Sequence, residues 1–455
     1  MVNAETNPRA YKDLRVVVMG LGRFGGGLGI TRWLAESGAH VLVTDPADKE
    51  TLASSIAQLQ DLIDTHRVEI VHGPHDPKLL NDADLLVVNP AVPTPWNHPF
   101  IQAAIDQGIE LTTEIEIAYR RLDPSRVIAV TGTAGKSTTS AMIHHALSTA
   151  GHHSILAGNI GGSLLTRLNE LTDDTIVVLE LSSAMLHWLW AKSDSPPTGP
   201  AVACITNCTP NHLDWHGSDE HYAASKQLLA KAVPSNGHLI LGDTLADWAQ
   251  LSESPTTLIA PTDALSACAI PGKHNALNAA MALAATQAIT QSDDPQPLID
   301  AIRTFPGLPH RLNLICDAHG VRYYNDSKST TPQATCLAID ALSEHSPRSS
   351  IHLIAGGYDK GSDLSPIAQL APTLAGLYTI GATGQALAID PNAHHCITLE
   401  AATKQVINNT KPGDLVVLSP GCASWDQFTN YEQRGDTFAT LVKQLTGDPA
   451  CSSKP

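Results

Sequence analysis

The chain has 455 residues, which is enough for about three domains of ordinary size. Apolar residues make up 43% of it and charged residues 16%, a composition that excludes an intrinsically disordered chain. The 28 basic and 45 acidic residues give a net charge of −17, which argues against a general nucleic-acid or membrane-surface binder.

Apolar runs and cysteine spacing narrow the class of protein further. No run approaches the roughly 20 residues of a membrane-spanning helix, and residues 1–8 lack the pattern of a secretory signal. The eight cysteines are scattered without a C-x-x-C pair, which predicts reduced thiols and no zinc site. We therefore expect a cytoplasmic protein that has neither a membrane nor a nucleic acid as a partner.

Short apolar runs alternate with longer amphipathic stretches along the chain. The runs predict buried strands at 16–19, 41–44, 85–88, 127–130, 176–179, 202–206, 239–241, 350–354 and 415–418. The stretches predict helices, among them 30–37, 138–149 and 276–289. This alternation is typical of α/β layers around mostly parallel sheets. Changes of pattern predict three domains, at 1–124, 125–308 and 309–455.

A glycine-rich loop follows the first predicted strand and opens a helix. Its glycines at 20, 22 and 25 fit the G-x-G-x-x-G pattern, which lets a diphosphate approach the backbone at a helix N-terminus. Asp45 ends the second strand, where an acidic contact to a ribose is expected. NAD, another nucleotide diphosphate and a simple packing turn all fit these features.

A second loop, Thr131–Thr138, gives a stronger signal for phosphate binding. It reads T-G-T-A-G-K-S-T between a strand and a helix, so its backbone amides can surround a phosphate. Lys136 is placed to neutralise the β- and γ-oxygens, and the Ser137 hydroxyl is placed to bind Mg²⁺. Val130 departs from the general pattern, which has glycine there. The alternative is an ordinary turn that contains G-K-S by accident.

Three further side chains could bind the metal ion or the phosphates of a nucleotide, or react beside them. Glu180 ends a buried strand and would need a cation there, unless its carboxylate emerges into solvent. His212 could bind a metal or a phosphate, although most isolated histidines are structural. Lys226 stands among alanines and leucine, so its amine could be partly buried with a lowered pKa and nucleophilic character. A helix lysine that reaches solvent is the alternative.

These pieces and several later motifs together resemble the Mur ligase family, the ATP-dependent amino-acid ligases of peptidoglycan precursor synthesis. The later motifs occupy 272–279, 307–311, 325–330, 356–360, 418–428 and 431–435. The resemblance runs from about residue 14 to 445. It implies a Rossmann-like N-terminal domain for a UDP-sugar, a central P-loop ATPase-type α/β domain, and a Rossmann-like C-terminal domain for the incoming amino acid.

The resemblance also implies roles for individual residues. ATP would contact Gly132, Thr133, Ala134, Gly135, Lys136, Ser137, Thr138, Asn278, Arg311 and Asp326. Two Mg²⁺ ions would be bound by Ser137, Glu180, His212 and a CO₂-derived carbamate on Lys226. The UDP-sugar would contact Gly22, Arg23, Phe24, Asp45, Asn159, Ser182 and His212, with Asp45 at the uracil. The amino acid would contact Lys328, Thr330, Ser424, Trp425 and Tyr431. The catalytic group would be Lys136, Glu180, His212 and Lys226.

The implied reaction joins D-glutamate to UDP-N-acetylmuramoyl-L-alanine through an acyl phosphate, in an enzyme expected to be monomeric. Some positions depart from residues that are common in the family, namely Ala184, Met185, Asn211 and Trp425. L-Glutamate or another amino acid therefore remains an alternative substrate. A non-catalytic nucleotide-sensing module on the same fold is a third interpretation.

Overall fold

The computed structural model describes residues 11–22, 26–192, 195–263, 265 and 270–448. Within this part, the chain forms two compact units. Of the described residues, those within 1–263 and 280–302 form the first unit, and those within 264–279 and 303–448 form the second. The described residues contain three β-sheets, which follow one another along the chain.

The first sheet has five strands: β1 Arg15–Met19, β2 His40–Asp45, β3 Val68–His72, β4 Leu85–Val87 and β5 Glu110–Thr112. The helices of this region are α1 Gly26–Glu36, α2 Ala53–Ala57, α3 Gln60–Asp64, α4 Pro99–Asp106 and α5 Glu114–Tyr119. All neighbouring strands are parallel, in the order β3-β2-β1-β4-β5. The order reverses between β1 and β4, and ligands of open α/β sheets bind outside the carboxyl ends at such a point.

The second sheet has six strands: β6 Val127–Thr131, β7 Ser154–Gly158, β8 Ile176–Glu180, β9 Val202–Ile205, β10 His238–Gly242 and β11 Thr256–Ile259. The next helices are α6 Lys136–Thr149, α7 Ser183–Leu186, α8 Leu213–His216, α9 Asp219–Ala232, α10 Lys273–Thr290 and α11 Gln296–Arg303. The parallel order β11-β10-β9-β6-β8-β7 makes β6 the neighbour of both β8 and β9. The loops that follow these three strands therefore meet at one edge of the sheet.

The third sheet has six strands: β12 Asn313–Ala318, β13 Val321–Asn325, β14 Ile351–Gly356, β15 Gly376–Ile380, β16 Ala393–Ile397 and β17 Leu415–Leu418. Its helices are α12 Pro332–Ser343, α13 Ser365–Ala368, α14 Gly384–Leu387, α15 Leu399–Asn409 and α16 Tyr431–Thr446. The order is β12-β13-β17-β14-β15-β16, and only β12 and β13 pair in antiparallel fashion.

The predicted α/β class is confirmed, and a strand is found at each of the nine positions where one is expected. The apolar runs are strands because parallel sheets with both faces covered bury nearly every strand residue, as in β6 and β8. One continuous apolar core contains side chains from both the first and the second sheet, such as Val43 and Leu179. Two further cores lie against the third sheet.

The state of the cysteines and the hydropathy of the helices bear on two of the predictions. Cys316 is disulfide-bonded, so the prediction of reduced thiols throughout is wrong at this residue. Cys204, Cys208, Cys336 and Cys396 are free, as is Cys422. In the part of the chain that the structure describes, no helix has the length and hydropathy needed to cross a membrane.

Candidate functional site

The phosphate loop joins β6 to α6, and side chains of the loop after β9 hold it in place. Gly132 and Gly135 have φ angles of +151° and +82°, a region that favours glycine. A Cβ on Gly132 would lie 1.9 Å from the Thr206 hydroxyl, so no larger residue fits there. The Thr206 hydroxyl donates to Ala134 O (2.5 Å), and the Asn207 side-chain oxygen accepts from Ala134 N (2.9 Å). The loop after β9 thus fixes the loop after β6.

The side chains of the phosphate loop are arranged around its backbone. Lys136 Nζ donates to Gly132 O (2.9 Å) and Thr133 O (3.0 Å), so the ammonium lies over the loop. Ser137 is buried at the start of α6, and Thr138 is half-buried. The Thr133 hydroxyl lies 2.9 Å from the hydroxyl of Tyr222 on α9. The structure therefore brings the predicted nucleotide contacts of this loop together.

Glu180 lies at the end of β8 with 1% of its surface exposed, which rules out a carboxylate that emerges into solvent. Asn159 Nδ2 donates to its Oε1 at 2.8 Å. Its Oε2 is buried and has no hydrogen-bond partner. A desolvated carboxylate oxygen without a partner is costly, so this atom fits a position beside a bound cation.

Lys226 on α9 is also 1% exposed, so it is not a lysine that reaches solvent. Its Nζ donates to Gly132 O at 2.8 Å and lies 4.7 Å from the centre of the Tyr222 ring. Burial, together with the charge of Lys136, lowers the pKa of Lys226 to about 7, against the raising effects of Cys208 and Glu180. Lys136 and Glu180 therefore both lie within electrostatic reach of Lys226.

His212 precedes α8 and adopts a left-handed backbone conformation, with φ of +52°. The residue is exposed, yet the protein around the ring partly desolvates the imidazole and lowers its pKa. Among the described residues, no three His, Cys, Asp or Glu side chains converge in a way that could hold a metal. The predicted metal ligands are of mixed type: the hydroxyl of Ser137, the carboxylate of Glu180, the imidazole of His212 and the side chain of Lys226.

A cleft of about 370 Å³ lies between the first and second sheets, and we call it the glycine-loop cleft. It is lined by the loop after β1, by the loop after β4, and by residues that follow β7 and β8. Its polar lining includes Asn89, Glu114, Asn159, Ser163 and Ser182. Gly22 lines it as well, while Arg23 and Phe24 lie outside the described residues. Three of the predicted UDP-sugar contacts thus meet in one cleft.

Asp45 is buried at the end of β2, and its carboxylate is already engaged by the backbone. Its Oδ2 accepts from Leu21 N (2.9 Å) and Gly22 N (3.1 Å), and its Oδ1 accepts from Ala47 N (2.8 Å). The side chain therefore fixes the glycine loop. An acidic contact to a ribose needs a carboxylate directed at the ligand, so the NAD interpretation loses its main support. The uracil contact stays a prediction.

The nucleotide contacts predicted further along the chain belong to the second unit. Asp326 follows β13 and is buried, which raises its pKa to about 6. It accepts from Leu312 N (3.0 Å) and from the Ser419 hydroxyl (2.7 Å). Asn278 is buried on α10, whereas Arg311 is exposed. The ATP roles of these residues stay predictions.

The predicted amino-acid contacts meet where β13 and β17, which are neighbours in the third sheet, both end. Lys328 Nζ donates to the Tyr431 hydroxyl at 2.8 Å and lies 4.0 Å from the centre of that ring. Ser424 is buried and Thr330 half-buried. Trp425 is 62% exposed. The structure therefore brings these segments together in the second unit.

Arg434 on α16 is a functional candidate that the sequence reasoning did not assign. It is 1% exposed, and its guanidinium donates to Ser327 Oγ (3.0 Å), Ser327 O (2.9 Å), Cys422 O (3.0 Å) and Ala423 O (3.2 Å). Burial lowers its pKa to about 10. One arginine thus ties together the backbones beside Lys328 and Ser424. The only sequence signal was its place in the motif at 431–435.

Comparison with known proteins gives consistent matches along the chain. Residues 14–113 match the Mur ligase MurD-like N-terminal domain, residues 130–260 the Mur ligase middle domain, and residues 310–422 the Mur ligase glutamate ligase domain. The UDP-N-acetylmuramoylalanine–D-glutamate ligase of Streptococcus pneumoniae (strain Taiwan19F-14) is 31% identical over 96% of this chain and 98% of its own length. The enzyme of the same name from Caldicellulosiruptor bescii is 30% identical over 95% and 98%.

Solved structures share the architecture at lower sequence identity. MurF ligase from Thermotoga maritima in complex with ADP aligns with a TM-score of 0.59 at 15% identity, covering 98% of this chain and 99% of that one. UDP-N-acetylmuramate–alanine ligase from the same organism gives a TM-score of 0.58 at 16% identity, covering 95% and 99%. At 15% and 16% sequence identity, these similarities show a shared fold and nothing more specific.

Proposed function

Because the chain belongs to the Mur ligase family, we propose that it joins D-glutamate to UDP-N-acetylmuramoyl-L-alanine at the expense of ATP. The observation that supports the ATP chemistry is the buried oxygen of Glu180, which has no hydrogen-bond partner and lies within electrostatic reach of Lys226. The choice of substrates is supported by two near-full-length relatives that bear this enzyme name.

The proposed reaction has two steps. The carboxylate of the acceptor attacks the γ-phosphorus of ATP, the bond to the β-phosphate oxygen breaks, and ADP leaves. The amine of glutamate then attacks the carbonyl carbon of the acyl phosphate, loses a proton, and expels inorganic phosphate. Bringing two anions together is the electrostatic obstacle of the first step, and Lys136 with the amides of the phosphate loop reduces it.

The residues around the phosphate loop fit a bound Mg²⁺. Ser137 Oγ and Glu180 Oε2 are the oxygen donors that this ion prefers, and Glu180 Oε2 has no other partner. His212 and modified Lys226 would contribute to a second ion. When bound, Mg²⁺ supplies positive charge that offsets the charge of the phosphates and the attacking carboxylate.

Lys226 is the proposed site of carbamylation. Its neutral amine would attack CO₂, forming the N–C bond of a carbamate and releasing a proton, which converts a cation into an anion. Its burial and lowered pKa support this step, because part of the population is already a neutral amine near pH 7. An anion at this position suits a metal ligand better than an ammonium does.

Glutamate recognition is assigned to the second unit. Lys328, held by Tyr431, supplies a cation for one carboxylate, and Ser424 supplies a hydroxyl. Arg434 acts behind them as a positioning residue, because all its observed partners are protein backbone or Ser327.

Replacing Arg434 by lysine tests this assignment. Lysine keeps the charge but cannot bridge the separate acceptors at 327, 422 and 423, because it lacks the planar fork of arginine. We expect the KM for glutamate to rise about tenfold, equivalent to the loss of one or two net hydrogen bonds, while the KM for ATP stays within about twofold. Steady-state kinetics would show this split. Equal changes in both KM values would contradict the assignment.

The proposed function is tested by phosphate release from ATP with UDP-N-acetylmuramoyl-L-alanine, comparing D-glutamate, L-glutamate, other amino acids and none. We expect release only with D-glutamate. Release with L-glutamate instead would keep the mechanism and would direct attention to Ala184, Met185, Asn211 and Trp425 as a changed pocket. No release with any amino acid would refute the proposed acceptor.

A further inference from the structure

The short helix α8 connects three parts of the first unit through two buried side chains, Trp215 and His216. Trp215 Nε1 donates to Pro90 O at 2.9 Å, and His216 Nε2 lies 2.9 Å from the Ser183 hydroxyl. Pro90 follows a strand of the first sheet, whereas Ser183 follows β8 of the second. Neither side chain has a role in the reaction proposed above.

Both contacted segments border the glycine-loop cleft. Pro90 itself lines the cleft, next to Asn89. Ser182 and Ala184, on either side of Ser183 in the chain, line it from the second sheet. The two hydrogen bonds from α8 therefore act on two walls of the cleft, one contributed by each sheet.

The same helix fixes the backbone of His212. Trp215 N and His216 N both donate to His212 O, at 3.0 and 2.9 Å, which closes the turn that follows the left-handed residue. Trp215 O accepts from Thr94 N at 3.1 Å, adding a second link to the loop after β4. The position of His212 and the positions of the cleft walls are thus set by one element.

Tight aromatic packing leaves this element little freedom. The Trp96 ring lies 5.6 Å from the Trp215 ring and 4.6 Å from the His221 ring. His216 Nδ1 lies 2.8 Å from His221 Nδ1, so one ring donates and the other accepts. Both ring nitrogens of His216 therefore have a hydrogen-bond partner, and the two contacts fix the orientation of the ring.

We propose that Trp215 and His216 are positioning residues for the acceptor. They hold the loop after β4, the 182–184 segment and His212 at fixed separations, so that the bound UDP-sugar presents its carboxylate to the phosphate loop. This inference rests on the proposed function and deepens it, since it concerns the UDP-sugar acceptor and neither ATP nor glutamate.

Binding and kinetics of two variants test the proposal. Trp215→Phe keeps a ring but removes the donor to Pro90 O, and His216→Leu removes the contact to Ser183. We expect each to raise the Kd for UDP-N-acetylmuramoyl-L-alanine about tenfold by calorimetry, since a buried donor or acceptor is left unsatisfied. The KM values for ATP and glutamate should change less than twofold. His216→Gln, which keeps a polar group near the Nε2 position, should recover most of the affinity.

Matched controls come from a second histidine–hydroxyl pair and a second tryptophan of the same unit. His238 Nε2 lies 2.8 Å from the Thr257 hydroxyl at β10 and β11, away from the cleft, so His238→Leu should leave acceptor binding unchanged. Trp248 packs against the apolar core and does not line the cleft, so Trp248→Phe should likewise leave acceptor binding unchanged. Acceptor binding as tight in Trp215→Phe and His216→Leu as in the controls would overturn the proposal, and so would equal losses for all three substrates.

Calorimetry separates this inference from the proposed function because it needs no turnover. A wild-type chain that binds the acceptor but releases no phosphate would refute the ligase proposal. The positioning role would then still be tested by the affinities of the Trp215 and His216 variants for the acceptor. A wild-type chain that does not bind the acceptor would overturn both.

Discussion

Replacing Lys136 by alanine is expected to reduce the rate of acyl-phosphate formation on the order of 10³-fold, the size of effect seen when a preorganised charge is removed from a developing anion. In the structure, Lys136 Nζ lies over the phosphate loop, bound to Gly132 O and Thr133 O. Its charge therefore lies at the phosphate loop. Hydroxylamine trapping of the acyl phosphate, with ATP and the UDP-sugar acceptor but no glutamate, measures this step alone.

The Arg434→Lys variant is the matched control for this experiment. Its side chain acts on the amino-acid contacts in the second unit, so trapping without glutamate should proceed at the wild-type rate. Lys136→Ala should fail in the same assay while keeping its melting temperature. Normal trapping in Lys136→Ala, with only a raised KM for glutamate, would contradict the role assigned to the phosphate loop.

Local sequence signals predicted the parts of the site that depend on neighbours in the chain. The strand, glycine and helix pattern located the phosphate loop, since a tight turn with positive φ leaves a visible glycine at 132 and 135. The sequence left both a buried and a solvent-exposed position open for Glu180 and for Lys226, and the structure buries both side chains. Their roles as metal ligands stay predictions.

Contacts between distant segments could not be predicted in this way. Trp215 reaches Pro90, 125 residues earlier, and Arg434 reaches Ser327, 107 residues earlier. No spacing rule records such pairs, because they exist only after the sheets have formed. Asp45 shows the converse problem, since its sequence position suggested a ligand contact while the folded loop uses its carboxylate for backbone amides.

Replacing Lys226 by alanine is expected to reduce activity on the order of 10²–10³-fold. In our proposal the lost group is a carbamate, so the variant lacks an anion and not a cation. Added short-chain carboxylates, which can enter the space left by the side chain, should therefore restore part of the activity. Added alkylamines should restore none. Phosphate release measured against carboxylate concentration gives the result.

Lys231→Ala is the matched control, because Lys231 lies on the same helix but is exposed. It should retain full activity and show no response to carboxylates. For the wild-type chain, ¹³C-labelled bicarbonate should give a carbamate signal by NMR that is missing in Lys226→Ala. Full activity of Lys226→Ala would refute the carbamate proposal, and so would rescue by amines alone, which would indicate that the ammonium itself is the working group. The ATP chemistry of the phosphate loop would survive either result, because Lys136 and Glu180 do not depend on the modification.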